Sequence, residues 1–292
     1  MGYFWTNTVW FLLLGIITVL EIIFVLARSK NRARVFAFYL SVCGAAFLFE
    51  MILFAFLKAY DYYPMIVDNV SRLDDGLAGN LFSQFSVSAT ALLICELDLK
   101  FYWQTALAFV YGAIEELFLY LGVYRHNWYQ TWITVAGLIV LFGIVKAAYK
   151  KFAGGRPAPL FKYILVYFAA FVPHTDLISW PFRLIWGPTF SEKLFADPQN
   201  SAFLLFAINF NILCITAIIL RYNKAKWRQT GLAAPFLYAV YFAAYMFDLV
   251  VYRDAALTAL FATVEIAGIF LSVFLVDKLY GFNENRPAQQ AS

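Results

Sequence analysis

The chain has 292 residues, of which 63% are hydrophobic, 20% aromatic and only 14% charged, with a formal net charge of +4 and a mean hydropathy of +0.71. A soluble domain of this length needs far more surface charge, so the composition excludes a soluble enzyme or binding module and points to an integral membrane protein. The basic residues lie in short clusters between apolar runs, the pattern of topology signals and not of a nucleic-acid footprint.

Apolar runs of about 20 residues, enough to cross roughly 30 Å of hydrocarbon, recur along the chain. The predicted spans are 8–27, 35–57, 76–95, 104–123, 129–149, 160–180, 201–220, 232–252 and 256–277, so the expected fold is an all-α integral membrane protein with nine transmembrane helices. Ahead of them, "MGYFWT" has neither a basic n-region nor a small-residue cleavage site, so no cleavable signal peptide is expected. It reads as an interfacial aromatic lead that also fits the loose myristoylation pattern.

The loops alternate in charge. One set (28–34, Lys100, 146–162, 221–228 and the tail) holds 16 of the 22 basic residues, and the other holds six, mixed with acids. Basic loops mark the cytoplasmic side, which predicts an outside N-terminus, a cytoplasmic C-terminus and a plasma-membrane location. The longer outside connections, 58–75 and 181–200, mix aromatics, Pro and charge; each is expected to be an ordered loop or a segment lying in the interface. The polar tail from 283 to 292 is expected to be disordered.

Spans two to five and six to nine share a layout of helix, long outside loop, helix, short basic turn, helix, tight outside hairpin and helix. "WQTAL" (103–107) and "WRQTGL" (227–232) occupy the same place in each half. This suggests a parallel 1+4+4 repeat. The expected organisation is a first helix and basic loop (1–34), two four-helix repeats (35–152 and 153–282) and the tail (283–292).

Function has to be read from polar residues inside the spans, because intramembrane acids are rare and costly. Glu21, Glu50, Glu115, Glu116, Asp248 and Glu265 are read as embedded, with His174 and Asp176 in the outer half of span six and no basic residue near any span centre. In span four, nine strong apolar residues contribute about −4.5 kcal/mol, against roughly +5 to +7 for two central carboxylates if charged. That helix must therefore pack inside the bundle, keep its carboxyls protonated, or both.

Helical spacing puts Gly112, Glu116 and Tyr120 on one face and Tyr111 and Glu115 on the next, giving each acid a tyrosine one turn away and a close helix neighbour at Gly112. After a tight turn, Asn127, Thr131 and Thr134 share one stripe of span five, and Thr134 returns at the depth of Glu116. "VPHTDLISWP" (172–181) adds His174 and Asp176 between two helix-breaking prolines, with Glu50 in the comparable place of the first half. The candidate polar site is therefore Glu50, Glu115, Glu116, Tyr120, Thr131, Thr134, His174 and Asp176, with the two halves presenting these groups to one cavity.

Buried acids without buried bases suit a cation or a proton and not an anion, so transport or sensing of a small cation, proton or polar solute is one reading. Interhelical hydrogen-bonding glue in an accessory subunit with partner membrane proteins is another. No Walker, GxSxG, HExxH, CxxC or GxGxxG pattern is present, and no cofactor, metal site or catalytic residue is assigned. The three cysteines fall in apolar segments and read as small core residues.

"IEELFLYLGVYRHNWYQTWITVAGLIVLFGIVKAAYKKF" (114–152) resembles the C-terminal signature of an uncharacterised family of small multi-pass membrane proteins of Gram-positive spore-forming bacteria. Glu115 or Glu116, Trp128, Tyr129, Thr131, Trp132 and Thr134 carry the resemblance, which extends over about 35–152. It implies a half-length ancestor and a lineage, and no activity. The adjacent glutamates also invite comparison with the intramembrane prenyl-protein proteases, which imply an intramembrane hydrolase using the Glu115–Glu116 pair. The sequence departs from that motif, with no Arg until position 125 and "FVPH" (171–174) one residue short of the expected Phe-to-His spacing.

Overall fold

The computed structural model describes residues 3–67, 72–153, 158–187, 189–223, 227–252 and 254–282, without the side chains of 72 and 227–230. The expectations for Gly2 and the 283–292 tail fall outside these residues. Among the described residues the fold is all-α apart from one small ribbon and an isolated bridge. The chain forms two compact units, Met1–Pro157 and Ala158–Ser292.

The first unit begins with a π-helical turn, Phe4–Thr8, that runs into α1 (Val9–Arg28). Asn31 caps α2 (Arg32–Glu50) by accepting the Arg34 N–H, and α2 widens into a second π-helical stretch, Met51–Phe56. After β1 (Tyr60–Tyr62) come α3 (Arg72–Glu96), α4 (Phe101–Tyr120), β2 (Tyr124–His126) and α5 (Thr131–Ala153). Helix α3 is the polar spine of this unit, with Asn80, Gln84, Ser86, Ser88 and Thr90 all buried, and it packs on α1, α2 and α5.

The expected hairpin of α4 and α5 is present. Gly112 is what lets the two helices close up, since a Cβ there would stand 2.7 Å from Val135 Cγ2. The 58–67 segment is an ordered structure in its own right. β1 pairs antiparallel with β2, Tyr60 opposite His126 and Tyr62 opposite Tyr124. Asn127 N and Tyr63 N extend the ribbon to Ala59 O and Val123 O, each at 2.9 Å. The carboxylate of Asp75, in the first turn of α3, accepts from the N–H groups of Met65, Ile66 and Val67 at 2.7–3.1 Å.

The second unit comprises α6 (Pro159–His174), a π-helical turn (Thr175–Ser179), α7 (Trp180–Trp186), α8 (Pro198–Tyr222), α9 (Trp227–Met246) and α10 (Ala255–Tyr280). Phe190 bridges antiparallel to Val250, the loop before α8 meeting the turn after α9. The prolines at 173 and 181 do not end the helix. It passes between them as a wider π-turn, with Pro173 inside α6 and Pro181 in the first turn of α7. Asp248, expected inside a span, lies in an exposed turn at φ 53°.

Six helices among the described residues are long and apolar enough to cross a membrane: Phe4–Arg28, Arg32–Phe56, Leu73–Glu96, Thr131–Ala153, Pro198–Tyr222 and Ala255–Tyr280. This is the make-up of a multi-pass membrane protein. The other three expected spans correspond to α4, which carries Glu115 and Glu116, to α6, 16 residues long before its π-turn, and to α9, apolar over Gly231–Met246. The three cysteines are buried and form no disulfide.

Candidate functional site

Ribbon and hairpin together close one end of a cavity of about 590 Å³, lined entirely by residues of the first unit. Glu50 comes to it from the end of α2, Gln84 from α3, Glu115 from α4 and Thr134 from α5; Tyr60, Tyr62, Tyr124 and Tyr129 come from the ribbon and the residues flanking it. No Lys or Arg is among the lining residues.

Each cavity acid is held by hydrogen bonds. The Tyr60 hydroxyl donates to Glu50 Oε2, and Gln84 also hydrogen-bonds Glu50. Gln84 is fixed in turn by donating to Asn80 Oδ1 at 3.2 Å. Glu115 receives the Thr134 hydroxyl at 2.5 Å on one oxygen, while His126 Nε2 stands 2.7 Å from the other. The Tyr129 hydroxyl lies 3.3 Å from the Thr134 hydroxyl. Burial pushes the phenols of Tyr60 and Tyr124 well above their ordinary range, so both remain neutral donors.

The rings pack edge-on and tilted. Centroids are 5.3 Å apart for Tyr60–Tyr124, 5.0 Å for Tyr60–Tyr129 and 4.9 Å for Tyr62–Tyr124. Outside this cluster, Arg125 donates to Asp61 at 2.8 Å, and this hydrogen bond raises the guanidinium pKa further. Trp128 Nε1 donates to Leu57 O at 2.7 Å, tying the turn to the end of the second π-helical stretch.

The sequence-derived residues divide into three groups. Glu50, Glu115 and Thr134 line the cavity. Glu116 and Thr131 bond each other at 2.5 Å but do not line it, and Glu116 is exposed. Tyr120 does not serve as the partner of Glu116: its side chain, in the last turn of α4, is 88% exposed. Tyr111, expected beside Glu115, instead meets Ser86 and Thr90 at 2.8 and 2.9 Å, and Thr90 also donates to Glu21 at 2.9 Å.

His174 and Asp176 belong to the second unit, and the cavity described above is lined by residues of the first. His174 is fully buried, with Nε2 3.2 Å from Glu265 Oε2. The same carboxylate accepts from Ser179 at 2.6 Å and Asn209 at 3.1 Å. Asp176 is not part of this cluster; its Oδ2 is a buried atom without a hydrogen-bond partner among the described residues. No group of three or more His, Cys, Asp or Glu among the described residues could hold a metal ion.

His126, Tyr60 and Gln84 are the site residues that sequence reasoning missed. His126 lies within the quoted hairpin, and its only signal is being an imidazole at a turn eleven residues after Glu115. Comparison with protein-family models, curated proteins and solved structures found no match to the chain.

Proposed function

We propose that this chain is a plasma-membrane protein that moves or senses a small cation, proton or polar solute through the acid-lined cavity of its first unit. The observation that carries this reading is the meeting of Glu50 and Glu115 at the end of one cavity that no Lys or Arg lines. Carboxylates held by hydroxyls, an amide and the His126 imidazole remain able to attract positive charge, whereas an anion would meet no Lys or Arg in the lining.

The proposal includes nine spans, an outside N-terminus and a cytoplasmic C-terminus. The charge alternation of the loops supports it, as does the helical character of α4, α6 and α9. It also includes the duplication. In favour, α2 to α5 and α6 to α10 each run from a helix through a π-turn to a segment that pairs with the turn after the next two long helices, and then to a last helix. The second copy inserts the short α7 and pairs by the single bridge Phe190–Val250. Membership of the spore-former family stays a proposal resting on the Glu115-to-Thr134 motif.

Cysteine labelling tests the orientation: single cysteines in 58–75 and 181–200 label from outside intact cells and one at 154 does not. The reverse pattern contradicts it. Solute or proton flux in liposomes, lost in Glu50→Gln and Glu115→Gln, tests the activity.

A second reading, an accessory subunit docking partner membrane proteins through a tryptophan-bearing surface, draws on Trp128 and Trp132, both more than half exposed. It predicts that the cavity acids can be neutralised without loss of function, and that Trp128→Ala and Trp132→Ala release a partner.

A further inference from the structure

We propose that the occupant of the cavity is a monocationic amphiphile, its ammonium head against Glu50 and Glu115 and its hydrocarbon tail along α5. The inference rests on the acid-lined cavity proposed above and adds the chemistry of what enters it. Glu50, Glu115, Thr134 and the ribbon tyrosines of the lining neighbour one another, with Tyr111 of α4 lining the cavity one turn further along. Beyond Thr134, α5 contributes Ala136, Gly137, Leu138, Val140, Leu141 and Ile144, all apolar. From Thr134 to Ile144 the helix rises about 15 Å, so the apolar wall is far longer than a bare cation needs. A volume of about 590 Å³ lies in the ordinary range for organic ligands, and an apolar wall offers water few partners.

The head group follows from the polar end. Glu50 and Glu115 supply the charge for an organic ammonium ion, and Tyr60, Tyr124 and Tyr129, packed against one another with centroids about 5 Å apart, supply an aromatic wall beside them. A zwitterionic phospholipid fits less well, because its phosphate would meet Glu50 and Glu115 with no Lys or Arg in the lining to offset it. The route follows from the other end. Phe49, Val140 and Ile144 line the cavity yet are 61%, 59% and 62% exposed, so it reaches an apolar surface on α2 and α5. Both helices are of membrane-crossing length, which gives the cavity access from the hydrocarbon layer.

The test uses the full chain in vesicles with three photoreactive twelve-carbon probes of identical tail, bearing an amine, an alcohol or a sulfate head, and maps crosslinks by peptide mass spectrometry. The amine should label residues 137–144 of α5, and excess dodecyltrimethylammonium should remove the label where methylamine at equal concentration does not. Glu50→Gln should reduce that label about tenfold. Gly137→Leu, whose new side chain meets no atom within 4 Å at its Cβ, should block the tail path without disturbing the helix. Labelling at 137–144 no stronger than at Ile16 and Leu20, which are 56% and 60% exposed on α1, would overturn the inference, as would equal labelling by the alcohol. If the amine probe fails but methylamine flux depends on Glu50, the tail falls and the small-cation reading stands. If neither depends on Glu50 or Glu115, both fall.

Discussion

His126 Nε2 stands 2.7 Å from Glu115 Oε1, so the principal acid of α4 is met by an imidazole from the β-ribbon and not by a tyrosine of its own helix. Because His126 is opposite Tyr60 in the ribbon, the same pairing that places His126 on Glu115 places the Tyr60 hydroxyl on Glu50. Ribbon and site are therefore one mechanical unit.

Coupling between His126 and Glu115 should be measurable. Both side chains are less than one-fifth exposed, so His126→Ala should cost about 1–3 kcal/mol by leaving part of the carboxylate unpaired. A double-mutant cycle with Glu115→Gln, read by thermal unfolding in detergent, should give a coupling of about 1–2 kcal/mol. Strictly additive losses would contradict the pairing.

Two glycines of the hairpin should respond in opposite directions. Gly112→Val forces a Cβ to within 2.7 Å of Val135 and should destabilise the chain by about 1–3 kcal/mol. At Gly137 a Cβ meets nothing within 4 Å, so Gly137→Ala should stabilise by up to about 1 kcal/mol through helix propensity. Unfolding midpoints of the two variants decide the matter, and equal shifts would mean that α4 and α5 do not close at Gly112.

In the second unit, Glu265 is 1% exposed and bonded by His174, Ser179 and Asn209. Glu265→Ala should cost about 3–5 kcal/mol by removing the acceptor common to three buried groups, and Ser179→Ala about 1 kcal/mol. If unfolding midpoints show Glu265→Ala to be as mild as Ser179→Ala, the cluster does not hold that unit together.

Acid should act on the loop between α3 and α4. Asp98, at φ 46°, takes the Lys146 ammonium at 2.8 Å, and this hydrogen bond, then the charges of Lys146 and Lys150, hold its carboxyl below the usual aspartate value. A depressed native value means the contribution is fully present above the ordinary aspartate range and is lost as pH falls through the lower native value. The side chain is 73% exposed, so the effect is small and screened by salt. The stability gap between wild type and Asp98→Asn should therefore be present at neutral pH and vanish in strong acid. A gap that widens in acid would reverse the sign.

What was legible in the sequence is what a 3.6-residue period and a short turn encode. The hairpin of α4 and α5 and the close approach at Gly112 follow from local spacing, which put Thr134 level with Glu116, whereas the side chains pair as Thr134 with Glu115 and Thr131 with Glu116. The β1–β2 pairing was not legible, because three-residue strands more than 60 residues apart show no alternation to read. His126 and Tyr60 were lost with it. Tyr120 shares a helical face with Glu116, but in the last turn of α4 that face no longer has a neighbour. Prolines 173 and 181 suggested a broken helix, and whether a chain breaks or widens into a π-turn depends on packing that sequence does not state.

Glu115 and Glu116 are adjacent, yet only Glu115 lines the cavity, while Glu116 bonds Thr131 on an exposed surface. The most direct measurement is cation or proton flux in liposomes holding wild type, Glu115→Gln or Glu116→Gln at matched protein content. Flux lost in Glu115→Gln and kept in Glu116→Gln is the predicted result. Equal flux in all three would contradict a working acid-lined cavity and leave both glutamates as interhelical glue.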